Sequence, residues 1–163
     1  MKQLVYRQER SEFFDVKDST RVNFRYLKSS LDLFPLIVPL CRLFGLLGLI
    51  ETGFKLVTRR RQFYCILMEG HVAHYGWVSI SFCRYYKVEL GDVVVGPIQT
   101  DERVRGCGYA ALALKSVINE LMVRGNRVFW IDTSEINLPS QRVIEKCGFG
   151  KPVSRFERPR DGL

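Results

Sequence analysis

Two arginines and two glycines in the stretch Gly96 to Ala111, GPIQTDERVRGCGYAA, have the spacing of a site for a bound anion. The stretch starts at the end of a strand-like run, Val93 to Val95, and crosses a short charged segment. It then passes Gly106 and Gly108 and enters an Ala/Leu-rich helix without a break. The first N–H groups of a helix lack internal partners, and the macrodipole adds about half a positive charge beside them. Glycines let a phosphate come close to the backbone, and Arg103 and Arg105 add full charges there. The chemistry this suggests is binding of a pyrophosphate-bearing cofactor.

A second constellation follows at a distance of one helix and one strand. Asn137-x-x-Ser140 is succeeded by Glu145-Lys146-Cys147-Gly148-Phe149. Arg103-x-x-Gly106-x-Gly108, taken with this second run and in this order, resembles the acyl-CoA-binding and following motifs of the GNAT superfamily of N-acetyltransferases. The resemblance covers Val93 to Phe149 well and the N-terminal half poorly. It implies acetyl-CoA as cofactor, with no metal. The backbone amides of Val104, Arg105, Gly106, Cys107, Gly108, Tyr109 and Ala110 are then expected to grip the pyrophosphate. Ile98 and Thr100 are expected to offer main-chain groups to the pantetheine arm. Asn137 and Ser140 are expected near the cofactor on the far side, with helix capping as their structural alternative.

The reaction implied is direct attack of a neutral amine on the acetyl thioester. It needs a proton acceptor for the ammonium, stabilisation of the oxyanion by an N–H near Ile98, and often an acid for the departing thiolate. The resembled family usually supplies that acid as a tyrosine just before its Glu-Lys-x-Gly-Phe run, and Ile144 stands there in this chain. Three alternatives remain open. The thiolate leaves unaided, Ser140 or Tyr109 assists, or the chain binds acyl-CoA without turnover. Base candidates are His74, Glu135 and Asp92. His74 titrates in the right range but shares a strand face with Val72, Val78 and Ile80, which favours a core histidine. Glu135 ends a strand beside the expected cleft, and a surface carboxylate would look the same. Asp92 reads as a turn residue.

Gly96-Pro97-x-x-Thr100, five residues, then Gly106-x-Gly108-x-Ala110 is similar to members acting in bacterial surface-sugar pathways. An amino sugar, free or nucleotide-linked, is therefore the expected small-molecule acceptor, and a protein or peptide amine the alternative. Gly106-x-Gly108-x-x-Ala111 also satisfies the dinucleotide-binding pattern, with Asp132 where a ribose-binding acid would sit. Against that reading, the polar run Gln99 to Arg105 separates strand from glycines. The motif also falls too late for further βαβ units, and the strands before it pair as hairpins.

The 163 residues suit one domain spanning the chain, and 47% hydrophobic with 26% charged residues is a globular balance. Lys and Arg outnumber Asp and Glu by 25 to 17, a formal +8 that favours anionic ligands. No nucleic-acid partner is expected. Five widely spaced cysteines, without a C-x-x-C pair or a Cys/His cluster, argue against a zinc site or a disulfide framework and suit a reducing cytoplasm. Met1 to Arg10 is polar and charged, unlike a signal peptide.

The positioning elements follow from periodicity. Gln3 to Gln8 reads as a strand, and Thr20 to Leu27 is ambiguous between strand and helix. Leu31 to Ile50 is the most apolar window, but Asp32, Pro35, Pro39 and Arg42 make it a poor membrane span. After Pro39 a helix carries Leu40, Leu43, Phe44, Leu47 and Phe54 on one face, with Leu46 and Leu49 spilling onto the other. Its expected role is a buried or substrate-capping helix. A homodimer face, or a peripheral membrane contact helped by Arg59, Arg60 and Arg61, is the alternative. Phe63 to Met68 and Val72 to Ser81 form a hairpin about Glu69-Gly70-His71, and Leu90 to Ile98 follows, losing regular pairing at Gly96-Pro97. Gly108 to Val123 is a helix, Arg127 to Thr133 a strand, Leu138 to Lys146 a helix capped by Asn137, and Val153 to Phe156 a last strand. The expected fold is α/β (α+β): a mostly antiparallel sheet flanked by helices, with one parallel crossover and a splayed strand pair forming the cofactor cleft.

Overall fold

The computed structural model describes residues 1–16, 22–57 and 61–158. Thr20, Arg59, Arg60 and the tail from residue 159 lie outside the described residues. The elements are β1 (Lys2–Glu9), β2 (Asn23–Leu27), a 3-10 turn (Ser30–Leu36), α1 (Ile37–Val57), β3 (Arg61–Met68) and β4 (His71–Ile80). After them come β5 (Val93–Thr100), a short 3-10 turn (Glu102–Val104), α2 (Tyr109–Val123), β6 (Val128–Ser134), α3 (Leu138–Lys146) and β7 (Ser154–Glu157).

Seven strands form one sheet in the order β2-β3-β4-β5-β6-β1-β7. Every neighbouring pair is antiparallel except β5 and β6, which run parallel on either side of the α2 crossover. This is the expected mixed sheet. The place of β1 was not legible from pattern: it leaves its sequence neighbour β2 at the far edge and lies between β6 and β7. Leu4, Val5 and Tyr6 are consecutive and all buried, as in a strand covered on both faces. The ambiguous segment before Leu27 is a strand, because Phe24 and Tyr26 pair across to Ile66 and Tyr64.

Two apolar layers cover the sheet. Beneath α2 lie Tyr64, Ile66, Val78, Val93, Val95, Phe129 and Ile131. Beneath α1 lie Phe63, Cys65, Val72 and Trp77. Val72 is thus on the opposite face from Val78, contrary to simple alternation. The register of β3 on β4 shifts between Ile66 and Leu67, so Ala73 has no cross-strand partner and the faces exchange there.

A second irregularity matters more for the site. Gly76 pairs with Ile98 but Val78 pairs with Val95, so Gly96 and Pro97 together oppose Trp77. Before this bulge, Val93 and Val95 point under α2. After it, Ile98 and Thr100 do, while Gln99 meets Tyr75 on the other face. The start of β5 also differs from the expected Leu90. Asp92 accepts hydrogen bonds from the Glu89 N–H at 3.1 Å and from Trp130 Nε1 at 2.7 Å, closing a turn that delays the strand to Val93.

The periodicity of α1 is corrected as well. Gly45 has φ 70° and ψ 177°, which breaks the helix into two segments out of phase. Leu40 is buried as expected, but in the second segment Thr52 and Leu56 face the sheet, and Leu47 and Phe54 stand exposed. A single uninterrupted period carried across Gly45 places the wrong face inward.

Candidate functional site

β5 and β6 pair at only three positions, Val93 with Phe129, Val94 with Trp130 and Val95 with Ile131. Beyond Val95 the two strands part, because Gly96 and Pro97 turn β5 away while β6 continues along β1 to Ser134. The chain leaves β5 through the short 3-10 turn, makes the glycine loop and starts α2 at Tyr109 directly above this fork.

The loop is built to leave backbone groups free on one side. Gly106 and Gly108 have φ of 84° and 85°, a left-handed conformation costly for a side chain. A Cβ at either would meet nothing within 4 Å, so the space beside both is open. The first helical bond of α2 runs from the Leu112 N–H to the Gly108 carbonyl at 3.0 Å. The N–H groups of Tyr109, Ala110 and Ala111 therefore have no carbonyl behind them in the helix.

These groups open on a cavity of about 790 Å³ between the start of α2, the end of β5 and α3. Of the residues expected at the cofactor, Ile98, Thr100, Val104, Arg105, Gly106, Gly108, Tyr109, Ala110, Asn137 and Ser140 line it. Gln99, Ala111, Pro139, Arg142, Val143 and Lys146 complete the lining. Among the described residues three cations, Arg105, Arg142 and Lys146, and no carboxylate face the cavity. Arg105 also pairs with Glu102 at 3.1 Å. Arg142 lies outside the motifs, and Lys146 stands in the Glu145-Lys146-Cys147-Gly148-Phe149 run without having been read as a cofactor contact. The four-residue spacing of Pro139, Val143 and the cations on α3, on the side of Asn137, was the available signal.

Arg103 and Cys107 do not line the cavity. Arg103 is turned back onto Asp101, with Nη2 to Oδ2 at 2.7 Å and Nε to Oδ1 at 3.1 Å. This pairing holds the Asp101 carboxyl down to about 2. Asn137 does cap α3, its Oδ1 accepting the Ser140 N–H at 3.2 Å, and both residues nonetheless face the cavity.

The expected catalytic residues separate. His74 is buried at 1% exposure, lines neither this cavity nor the second one described below, and has its Nδ1 2.8 Å from Thr100 Oγ1. Burial pushes its pKa down to about 4. Glu135 is not at the cavity either. Its carboxylate lies 3.7 Å from Arg155, and its N–H bonds the Lys2 carbonyl. Ser140 alone of the three reaches the cavity. Ile144 is in the core. Tyr109 lines the cavity while its hydroxyl donates to Met68 Sδ at 3.2 Å.

A second cavity of about 170 Å³ lies on the opposite face of β5, between it, β4 and α1. Phe44, Gly48, Glu51, Thr52 and Lys55 come from α1, Tyr75 and Trp77 from β4, and Pro97, Ile98 and Gln99 from β5. Ile98 and Gln99 line both cavities. The Glu51 carboxylate pairs with Lys55 at 2.6 Å, and Lys55 Nζ stands 5.4 Å over the Trp77 ring. At the fork, on β6, Asp132 follows the last residue paired with β5 and faces away from α2, with Trp130. Its carboxylate accepts from the Tyr86 hydroxyl at 3.3 Å, and burial raises its pKa. Among the described residues no group of three or more His, Cys, Asp or Glu could hold a metal ion.

Residues 45–149 match the model of the acetyltransferase (GNAT) family, so the matched segment contains the fork, the glycine loop and α3. The chain belongs to the GNAT family of acetyltransferases. Enzymes of this family are N-acetyltransferases that use acetyl-CoA. The chain's cradle fits that cofactor: open space at two left-handed glycines, free helix N–H groups and three cations around one cavity.

Solved structures agree on the fold. The aminoglycoside N-acetyltransferase AAC(6')-Iy in complex with CoA aligns at TM-score 0.63 and 19% identity, over 89% of this GNAT chain and 99% of that one. The aminoglycoside antibiotic 6'-N-acetyltransferase AAC(6')-Ih from Acinetobacter baumannii aligns at 0.60 and 15%, over 87% and 99%. A GNAT-family acetyltransferase from Novosphingobium aromaticivorans aligns at 0.58 and 18%, over 93% of this chain but 60% of its own. The present chain thus spans under two thirds of that protein. No curated protein sequence matches.

Proposed function

We propose that the protein transfers the acetyl group of acetyl-CoA to the primary amine of a small acceptor, an amino sugar. The observation that carries this reading is the double role of β5 beyond its bulge. Ile98 and Gln99 border the glycine-loop cavity on one face and the aromatic cavity on the other. A cofactor arm in the first and an amine in the second would meet at the fork.

Bound acetyl-CoA would supply a thioester whose acetyl carbon forms the new C–N bond as the C–S bond breaks, one proton passing from nitrogen to CoA sulfur overall. The protein's part is positioning and proton handling. Backbone N–H groups of the loop and first turn of α2, with Arg105, Arg142 and Lys146, hold the phosphates. Asp132 is our assignment for the proton acceptor: like His74 and Glu135 it lines neither cavity, but it stands where β5 and β6 part, on the sheet face of the second cavity, with its pKa raised by burial. Ser140 and Tyr109 are our candidates for protonating the departing thiolate; the third hydroxyl lining the cofactor cavity, Thr100, is engaged with His74 Nδ1.

The second cavity suits one sugar ring. Phe44, Tyr75 and Trp77 offer apolar faces to ring C–H groups, while Glu51, Thr52 and Gln99 offer polar partners. AAC(6')-Iy and AAC(6')-Ih act by name on aminoglycosides, which are amino sugars, and this supports the acceptor class. The test is initial-rate thiol release with acetyl-CoA and four amines: neamine, glucosamine, a nucleoside-diphosphate amino sugar and a lysine peptide. Turnover with a sugar amine that falls about 100-fold in Asp132→Asn supports the proposal. Turnover with the peptide alone would overturn the acceptor class, and an unchanged Asp132→Asn rate would overturn the base.

A further inference from the structure

We infer that the outward face of α1 and the preceding 3-10 turn docks the protein onto an anionic lipid surface. Ten of the eighteen exposed large apolar side chains among the described residues fall between Leu31 and Val57. Leu31, Phe34, Leu47 and Phe54 are each more than 70% exposed, and Leu46 and Ile50 stand beside them at three- and four-residue spacing. Single exposed leucines need no partner, but Leu46, Leu47, Ile50, Phe54 and Val57 recur on one side of the segment after Gly45, and an exposed apolar helix face marks an interaction surface.

Length and hydropathy would let Ser30–Val57 cross a bilayer, with 28 residues and a mean hydropathy of 2.2 in its most apolar window. Its other face decides against crossing. Leu36, Leu40 and Leu56 are packed with Phe63 and Trp77 on the sheet, and Gly45 breaks the helix between them. Leaving the sheet would strip the core of its lower layer. The element therefore lies along a surface with one side immersed.

Charge selects the surface. Residues 28–61 carry six Lys and Arg against two carboxylates. Both carboxylates are already engaged: Asp32 accepts the N–H groups of Lys28 and Ser29, and Glu51 pairs with Lys55. Arg42 and Arg61 are exposed and in no ion pair among the described residues. A second copy of this +8 chain would bring its own Arg42 and Arg61 to this surface with no free carboxylate among the described residues of that segment to meet them. A bilayer with anionic headgroups supplies both the apolar phase and the countercharge. The second cavity opens under the same helix, since Phe44, Gly48, Glu51, Thr52 and Lys55 line it. Docking would bring the acceptor cavity to the headgroup layer.

The test is co-sedimentation of the full chain with vesicles of phosphatidylcholine alone and of phosphatidylcholine mixed with phosphatidylglycerol. The expected result is at least tenfold stronger partition onto the anionic vesicles, weakened by salt. Leu47→Glu/Phe54→Glu should abolish it while leaving acetyl-CoA affinity intact, a readout that also verifies folding. Equal partition onto both vesicles, or none, would overturn the inference. So would a stable dimer in light scattering that the same double variant dissociates. The outcome is independent of whether the amino-sugar acceptor is correct.

Discussion

Arg103 and Asp101 form a two-point ion pair, Nη2 to Oδ2 at 2.7 Å and Nε to Oδ1 at 3.1 Å, that folds the motif arginine back along the loop and away from the cavity. The charge facing the cavity comes from α3 as much as from the glycine loop. Arg103→Ala should weaken acetyl-CoA binding less than about threefold, since the pair it breaks is at the surface. Arg142→Ala/Lys146→Ala should weaken it about tenfold or more, with much of the difference erased at high salt. Calorimetric titration of both variants checks the ranking, and the reverse order would return the phosphate role to the motif arginine.

His74 gives a pH prediction with a definite sign. Its folded pKa, about 4, lies below its ordinary 6.5, because burial penalises the imidazolium. The unfolded chain therefore binds the extra proton between these values. The stability tied to the neutral ring is complete above pH 6.5 and is lost as pH falls toward 4, by about 3 kcal/mol. Urea unfolding midpoints of His74→Gln should be flatter across that window than those of the parent chain. The pH profile of turnover should not change, because the ring lines neither cavity. A shifted acidic limb of turnover would restore His74 as the catalytic base.

The acceptor cavity and the cofactor cavity should respond separately. Glu51→Gln and Trp77→Leu alter only the α1 side of the fork. Each is expected to raise the KM for the sugar amine about tenfold while leaving the Kd for acetyl-CoA unchanged, as for loss of one charge-assisted or aromatic contact. Trp77 is largely buried, so its variant also needs a thermal-unfolding control. A parallel loss of acetyl-CoA affinity would mean that the two cavities are not distinct sites.

Much of this was legible in the sequence, for local reasons. The helix after Gly108, its neighbour from Leu138 to Lys146 and the break at Gly96-Pro97 are written in residues within a few positions of one another. What escaped was non-local or turned on one residue. The insertion of β1 between β6 and β7 depends on a partner more than 120 positions away, such as Val5 with Asp132. The exposure of Leu47 and Phe54 depends on Gly45, which resets the helical phase that a continuous pattern assumes. Ala73 exchanges the faces of β4, parting Val72 from Val78. The motifs marked the glycine loop and contained Lys146, but Arg142, one helical turn before it, falls between the quoted runs. Asp132 entered the sequence reading only as a ribose-binding acid, because nothing local tells that β5 ends its pairing one residue before it.

If the left-handed glycine loop at the start of α2 holds acetyl-CoA, filling the space beside it must abolish binding. Calorimetric titration of the parent chain and of Gly108→Trp with acetyl-CoA, and with NAD for comparison, tests it most directly. The expected result is binding of acetyl-CoA over NAD, abolished in Gly108→Trp because the indole fills the open space beside the free N–H groups. Unchanged acetyl-CoA binding in a folded Gly108→Trp protein, or preference for NAD, would contradict it.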